Sequence, residues 1–378
     1  MQRERGEPVV IIGAGLIGLA IASELARRGA AVRVIDAHEP GRAASWAGAG
    51  MLAPYTEALP STEFAAFCAA SLALYPAFTR GLAERTGVDA RLVLDGIVEI
   101  AGNPGDDERL RARATTLAAC GIAAQWLDRE ALARLEPALG RSARGACFSP
   151  TEGHVDNRRL GRALRADCAG LGVRVEENAG PVAIEADARR VLGVRHPRGF
   201  LPAGAVINAA GAWSGSLEGV PPRAVVPVVP VKGQMLALAM PRNLVRHVVW
   251  VPGAYLVPRS DGRLLVGATV EDAGYDVRVT ARAMATLLDA ALGALPALGD
   301  LTVAETWAGL RPGSPDGLPF IGATALENYY VATGHYRNGI LLTPGTAVLV
   351  ADLLEGRSGG VAAFSPQRVH EAPQGAAK

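Results

Sequence analysis

The sequence predicts an α/β protein whose parallel sheet is assembled from separated parts of the chain. In the first part, "VVIIGAGLIG" at residues 9–18, a β-branched run meets a glycine-rich turn and an apolar helix. A similar order of strand and small-residue turn recurs in "AVINAAGAWSG" at residues 205–215 and in "YYVATGHYRNGILL" at residues 329–342. Continuous β-branched runs are typical of strands that are buried on both faces of a parallel sheet.

The first of these elements carries a complete nucleotide-binding signature. Gly13, Gly15 and Gly18 have the spacing Gly-X-Gly-X-X-Gly, the helix "LAIASELARRG" follows, and the strand "AAVRVID" ends at Asp36. The glycines allow a tight turn, close approach to a pyrophosphate and close helix packing. The helix N-terminus attracts phosphate, and an acid ~20 residues further on accepts ribose hydroxyls. This Rossmann-like pattern predicts dinucleotide binding, but alone it does not separate NAD from FAD.

The stretch that follows favours FAD. "EPGRAASWAGAGMLAP" at residues 39–54 is a dense run of small residues without clear periodicity. A nicotinamide enzyme would normally enter another helix or strand here, whereas small residues let a backbone wrap a flat ligand closely. A flexible surface loop is the alternative, although Trp46, Met51 and Leu52 are apolar for a solvated linker.

Composition limits the other classes. The chain has 378 residues, with 38 Lys+Arg against 37 Asp+Glu, and this balance does not support nucleic-acid binding. No apolar run reaches the ~18 residues of a membrane span, and the N-terminal residues show no apolar signal-peptide core. The four cysteines have no metal-ligand spacing, so no metal is expected. We expect a soluble cytoplasmic protein with free thiols.

The separated strand elements predict two interleaved domains. We expect a discontinuous Rossmann-like FAD-binding domain from residues 1–60, 150–222 and 315–370, and a β-sheet-rich α+β substrate domain from residues 61–149 and 223–314. Strand-rich stretches fill most of the second substrate segment, where the dipeptide Asp261-Gly262 is a strong hairpin signal. In the first substrate segment, residues 61–90 and 105–135 are rich in Ala and Leu and predict helices beside that sheet.

The whole pattern resembles the D-amino-acid oxidase family of flavoproteins, and within it the glycine oxidase branch of the thiamine pathway. The resemblance spans residues 9–354. It is carried by "VVIIGAGLIGLAIASELARRG", "GRAASWAGAGMLAP", "VINAAGAWSG", "PVKGQML", "YLVPRSDGRLLVGATVEDAG", "WAGLRPGSPDGLPFIG" and "GHYRNGILLTPGTA". The pair "WAGLRP" and "GHYRNGI" is far more specific than the glycine triad.

The resemblance implies a noncovalent FAD, since no cysteine follows Cys168 to form the flavin linkage of the sarcosine oxidase branch. It also implies a homo-oligomer. The residues expected to contact FAD are Gly13, Gly15, Leu16, Ile17, Gly18, Asp36, Ala37, Ala44, Ser45, Ala49, Gly50, Met51, Val182, Gly211, Gly334, His335, Tyr336, Arg337, Asn338, Gly339, Ile340 and Leu341.

By the same resemblance, three residues are expected to bind the substrate. Arg311 would hold its α-carboxylate, because a guanidinium matches a carboxylate with two parallel bonds. Tyr255 would add a hydroxyl, and Arg337 would lie near both the substrate and the flavin. The ligands themselves are expected to be the partners of Arg337, since a buried arginine without a partner is costly.

The implied reaction is oxidative deamination of glycine, sarcosine or a small D-amino acid, serving thiamine thiazole biosynthesis. Hydride transfer to the flavin and reoxidation by O2 would give an α-keto acid, ammonia and hydrogen peroxide. No side-chain base is expected, because the flavin carries the chemistry. Two alternatives stay open: a quinone-linked D-amino-acid dehydrogenase, and an FAD-binding protein without catalysis.

Overall fold

The computed structural model describes residues 7–38, 43–57, 62–140, 142–240, 244–357 and 361–371. Residues 1–6, 39–42 and 58–61 therefore lie outside the described residues, although they belong to the predicted FAD domain, the small-residue run and the predicted domain junction.

Across the described ranges, one sheet has the predicted parallel arrangement. Its strand order is β18-β19-β12-β1-β2-β8, and only the edge strand β18 runs antiparallel to its neighbour. The strands are β1 (Val9–Ile12), β2 (Val32–Ile35), β8 (Arg174–Glu176), β12 (Ala205–Asn208), β18 (Phe320–Ala323) and β19 (Tyr329–Thr333). The three separated elements predicted from the sequence thus join in this sheet.

The second main sheet is larger and mostly antiparallel. Its order within the described residues is β17-β13-β16-β15-β14-β4-β6-β5, with β4 and β14 parallel. The strands are β4 (Ile97–Ala101), β5 (Gln125–Asp128), β6 (Gly145–Ser149), β13 (Val229–Ala239), β14 (Val248–Val251), β15 (Ala254–Pro258), β16 (Arg263–Gly267) and β17 (Val303–Gly313). The predicted hairpin at Asp261-Gly262 joins β15 to β16.

Two small sheets complete the strands. The antiparallel pair β3 and β7 carries the small-residue segment, and β9, β10 and β11 form a meander beside the parallel sheet. Their bounds are β3 (Met51–Leu52), β7 (Gly153–His154), β9 (Ala183–Ala186), β10 (Val191–His196) and β11 (Gly199–Pro202).

Helices cover both sheets. They are α1 (Leu16–Arg27), α2 (Ala44–Ala47), α3 (Pro54–Glu57), α4 (Glu63–Thr86), α5 (Pro104–Ala119), α6 (Arg129–Leu135), α7 (Asn157–Gly170), α8 (Ala281–Ala294), α9 (Thr343–Leu354) and α10 (Arg368–Glu371). Helices α5, α6 and α8 pack on the large sheet, while α1, α7 and α9 pack together against the parallel one.

Two predictions about the helices of residues 61–135 need correction. Helix α4 does not lie beside the large sheet: it packs on α7 and α9, and its Leu72, Tyr75 and Leu82 join the core of the parallel-sheet layer. The stretch 105–135 is not helical throughout, because strand β5 interrupts it. An Ala- and Leu-rich helix fits against either layer, so composition alone could not choose between them.

The interleaved α/β fold predicted from the sequence is confirmed. The parallel sheet takes its strands from residues 9–35, 174–208 and 320–333, and the large sheet takes its strands from residues 97–149 and 229–313. The domain boundaries drawn from the sequence remain a proposal, and the packing of α4 places residues 63–86 nearer the nucleotide layer.

The glycine triad has the predicted geometry. Gly13 has φ +106°, a conformation that favours glycine. A Cβ on Gly18 would overlap the carbonyl oxygen of Gly13, so helix α1 can approach the end of β1 only if residue 18 has no side chain. Gly293 in α8 provides a contrast, since an added Cβ meets nothing within 4 Å.

We therefore expect opposite effects from two Gly→Ala substitutions in helices. Gly18→Ala should lower the free energy of unfolding by about 1–3 kcal/mol, because the added methyl group overpacks a backbone contact. Gly293→Ala should be neutral or stabilise by up to about 1 kcal/mol, since it only restricts the unfolded chain. Urea unfolding followed by circular dichroism would measure both, and equal losses would contradict the packing role of Gly18.

Candidate active site

A cavity of about 620 Å³ lies between the two sheets. It begins at the carboxyl ends of β1, β2 and β12, passes the small-residue segment that includes α2, and ends against β15 and β17 and the loop after β19. Ligands of open α/β sheets bind at the carboxyl ends of the strands. The cavity therefore has a nucleotide end beside β1 and a second end beneath the large sheet.

The nucleotide end is built from backbone groups and one acid. Asp36 accepts hydrogen bonds from the backbone N–H groups of Ala14, at 2.6 Å, and His38, at 2.9 Å, and it also lines the cavity. Helix α1 begins at Leu16, and its N-cap residue Gly15 has no side chain to cap the helix; the N–H of Leu16 donates to the Ser45 hydroxyl instead. A helix N-terminus of this kind suits a phosphate, as the sequence predicted.

Most of the predicted FAD contacts line this cavity. Four do not, and each has another structural role: Leu16 donates its N–H to the Ser45 hydroxyl at 2.9 Å, and Gly18 packs beneath Gly13. Gly334 has φ +73° and packs against Phe320, while Leu341 is buried in the core. The lining residues are Gly13, Gly15, Ile17, Asp36, Ala37, Ala44, Ser45, Ala49, Gly50, Met51, Val182, Gly211, His335, Tyr336, Arg337, Asn338, Gly339 and Ile340.

The far end of the cavity brings together the three predicted substrate residues. Arg311, Tyr255 and Arg337 all line it. Arg311 lies on β17, where its Nη1 donates to the backbone oxygens of Lys232, at 3.2 Å, and Thr269, at 3.1 Å. A guanidinium has five N–H donors, so these bonds fix the group while leaving donors for a ligand. Burial raises the pKa of Tyr255, although the nearby Arg311 and Arg337 oppose that rise.

Arg337 has a protein partner that the sequence analysis did not anticipate. Its Nε lies 3.4 Å from Oε1 of Glu57, and its Cζ lies 5.5 Å from the ring centroid of Trp250. The charge of Arg337 therefore has a partner within the protein, and its contacts with the ligands remain a prediction. Glu57 follows directly on the small-residue run, but no spacing in the sequence distinguishes it from a surface acid.

Glu57 is held in a largely buried place, with its side chain 11% exposed. Burial raises its pKa, whereas the charges of Arg337 and Arg311 and hydrogen bonds from Arg337 and Asn338 favour the ionised form. The two arginines and the carboxylate therefore form one charged group at this end of the cavity.

His335 is a neutral neighbour of the cavity. Its Nε2 lies 3.0 Å from the Thr346 hydroxyl, and burial lowers its pKa to about 3. It therefore carries no charge near neutral pH.

The cavity is also lined by aromatic side chains that the sequence analysis did not single out. Trp213 stacks on Tyr275 with ring centroids 5.7 Å apart, and His38 lies 5.9 Å from Trp213. The Tyr275 hydroxyl bonds the backbone oxygen of Ala212 at 3.4 Å. These residues come from different elements, so no local pattern could have linked them.

Among the described residues, no group of His, Cys, Asp or Glu side chains could hold a metal ion. No helix in the described ranges has the length and apolar character needed to cross a membrane.

The glycine turn, the acid after β2 and the long cavity define a dinucleotide-binding α/β protein with a charged second end. The DAO family, described as FAD dependent oxidoreductase, matches residues 8–353. The chain belongs to this family of oxidoreductases, and FAD is its cofactor.

Proteins named glycine oxidase or ThiO/ThiG are similar to this chain in sequence or structure. Glycine oxidase of Pseudomonas aeruginosa is 37% identical, over 93% of this chain and 95% of that protein. The bifunctional protein ThiO/ThiG of Synechocystis is 39% identical over 95% of this chain, and the match spans about half of that relative (54%). The crystal structure of glycine oxidase from Geobacillus kaustophilus has a TM-score of 0.91 and 35% identity, covering 96% of this chain and 98% of that one.

The described residues fit FAD. The N-terminus of α1, which has a glycine as its N-cap residue, suits the pyrophosphate, and Asp36 would accept hydrogen bonds from the ribose. All four cysteines lie among the described residues, and none of them lines the cavity. This arrangement supports the proposal that FAD is held without a covalent bond.

We therefore expect acid precipitation to release the flavin into the supernatant as FAD. Asp36→Ala should weaken FAD retention by roughly 1–3 kcal/mol, because it removes the acceptor for the ribose and for two backbone N–H groups. Asp289→Ala, on the exposed face of α8, is the matched control and should retain FAD as the parent does. Flavin that stays with the precipitate would contradict the noncovalent proposal.

Proposed function

We propose that this protein uses O2 and water to oxidise glycine or another small amino acid, such as sarcosine or D-alanine, to an α-keto acid and hydrogen peroxide, with release of ammonia from glycine and D-alanine and of methylamine from sarcosine. The observation that carries the proposal is the position of Arg311 and Tyr255 together at the far end of the FAD cavity. The names of the similar proteins support the same substrate class.

Arg311 would bind the α-carboxylate with two parallel charge-assisted hydrogen bonds. Its bonds to the backbone oxygens of Lys232 on β13 and of Thr269, just after β16, fix its position before the substrate arrives. Tyr255 would add a third contact from β15. A carboxylate anchored in this way presents the Cα of the substrate to the cofactor at a fixed distance, and such orientation contributes much of a rate enhancement.

The bound FAD would accept the hydride from Cα, so the protein needs no proton-abstracting group if the amine is neutral. The charges of the side chains at the site are consistent with hydride transfer to FAD without a base from the protein. His335 is neutral, and Glu57 is paired with Arg337. The protein's own contribution would be to orient the substrate and to exclude water beneath the large sheet.

The second end of the cavity also supports a preference for small substrates. Tyr255 closes one side, and the loop that carries His335, Arg337 and Asn338 closes another. A bulky side chain would have to displace this wall, so large D-amino acids should react more slowly than glycine. The bifunctional relatives named ThiO/ThiG support a role in thiamine thiazole biosynthesis. We also propose that the protein acts in the cytoplasm as a homo-oligomer.

Arg311→Leu should keep the flavin spectrum and lose substrate affinity. Removal of a charge-assisted bond of roughly 1.5–3 kcal/mol predicts at least about a tenfold rise in the apparent dissociation constant of the substrate. Glycolate, a non-reacting carboxylate, should lose affinity in parallel. Arg282→Leu, an exposed change on α8, is the control. If Arg311→Leu binds glycolate as the parent does, Arg311 is not the anchor.

The reaction itself is tested by oxygen consumption with glycine, together with measurement of peroxide, ammonia and glyoxylate. We expect all three products in equal amounts, and faster flavin reduction by glycine, sarcosine or D-alanine than by large D-amino acids. Reduction by these substrates with reoxidation by a quinone but not by oxygen would favour a dehydrogenase. Bound FAD that no small amine reduces would favour a protein without catalysis.

A further inference from the structure

The far end of the cavity contains three charged groups that face one another. Glu57 pairs with Arg337 at 3.4 Å, and the charge of Arg311 also acts on Glu57. Next to Arg311 in the large sheet, Lys232 and Glu271 lie 3.9 Å apart and do not line the cavity. Two guanidinium groups and one carboxylate leave one net positive charge where the substrate would bind.

The carboxylate of Glu57 is held in place by its own helix. Glu152, which is fully buried, accepts hydrogen bonds from the backbone N–H groups of Tyr55, at 2.5 Å, and Thr56, at 2.9 Å, and from the Thr56 hydroxyl. These bonds fix the short helix α3, at whose last residue Glu57 stands. Glu57 is therefore a fixed part of the cavity wall.

We propose that Glu57 makes this site selective for monocarboxylates, because it neutralises Arg337 and leaves Arg311 as the anchor for a single carboxylate. This inference rests on the proposed function. A substrate with one carboxylate brings the three charged groups to neutrality. A second carboxylate on the substrate would meet Glu57 instead of a free arginine, and like charges brought together at a binding site cost affinity.

Single and double variants change the net charge of this group in different ways, so the roles of Glu57 and Arg337 can be measured separately. Glu57→Gln keeps the size of the side chain but frees Arg337, which raises the net charge of the group to two. Arg337→Leu leaves Glu57 unpaired, which lowers the net charge to zero. The double variant has the parent's net charge, although neither partner remains.

The test measures binding of glycolate and malonate to the FAD-loaded protein through the change in flavin absorbance, without turnover. In Glu57→Gln, the preference for malonate over glycolate should rise by about tenfold or more, which is the effect of one additional charge-assisted bond. Arg337→Leu should bind both anions more weakly, by about tenfold. The double variant should return to the parent's preference within about threefold, because Arg337 is the source of the gain.

Glu63→Gln is the matched control, because it removes an exposed acid from the first turn of α4 and should leave both affinities unchanged. An unchanged preference in Glu57→Gln would overturn the inference, and so would a gain that persists in the double variant. If Glu57→Gln does not retain FAD, the test rests on Arg337→Leu. If Arg337→Leu then binds glycolate and malonate as tightly as the parent does, the inference is overturned.

The outcomes also separate this inference from the proposed reaction. A shifted preference in a protein that does not oxidise glycine would contradict only the reaction. Glycine oxidation with an unshifted preference would contradict only the role of Glu57. A parent whose flavin spectrum responds to neither anion would contradict both.

Discussion

One buried cation, Arg259, joins the large sheet to the small-residue segment and to the chain around the start of α7, both of which lie beside the nucleotide end of the cavity. It follows β15 of the large sheet, and it donates to the backbone oxygens of Ala49 and Val155, both at 2.8 Å, and to the side-chain oxygen of Asn157 at 2.9 Å. Burial lowers its pKa to about 10, so it stays charged at neutral pH. A buried charge is costly unless its donors are satisfied, and here the acceptors are supplied by the nucleotide side, including the neutral ring of His154.

The contacts around Arg259 give a second reason for the small residues that follow β2. The sequence analysis attributed them to close contact with a flat ligand. The structure shows that protein contacts require part of the pattern: a Cβ on Gly50 would overlap the backbone oxygen of Val155 and would lie 3.0 Å from a nitrogen of Arg259. A Cβ on Gly309 of the large sheet would overlap Ala47. Part of the small-residue pattern is therefore required by the packing of this segment on the large sheet and on the chain before α7.

The features that the sequence predicted were those with a local cause. The strand, glycine turn and helix of residues 9–29 follow one another in the chain, and so do the strand and loop that end at Arg337. The features it could not predict arise from residues far apart in sequence. Helix α4 packs on α9 because apolar faces meet across nearly 300 residues, and Glu57 and Arg337 form their ion pair although they lie 280 residues apart in the chain.

The packing of α4 has a consequence for the charged end of the site. The Ser71 hydroxyl donates to the backbone oxygen of Leu341 at 2.7 Å, and the Tyr75 hydroxyl donates to that of Ile340. These buried bonds hold the loop that carries Arg337, as the bonds to Glu152 hold the helix that carries Glu57. Both members of the ion pair are thus supported by residues that do not line the cavity: Ser71 and Tyr75 on α4, and Glu152. A site built in this way can change its charge selectivity through single side chains, because its geometry is set by neighbours that do not touch the ligand.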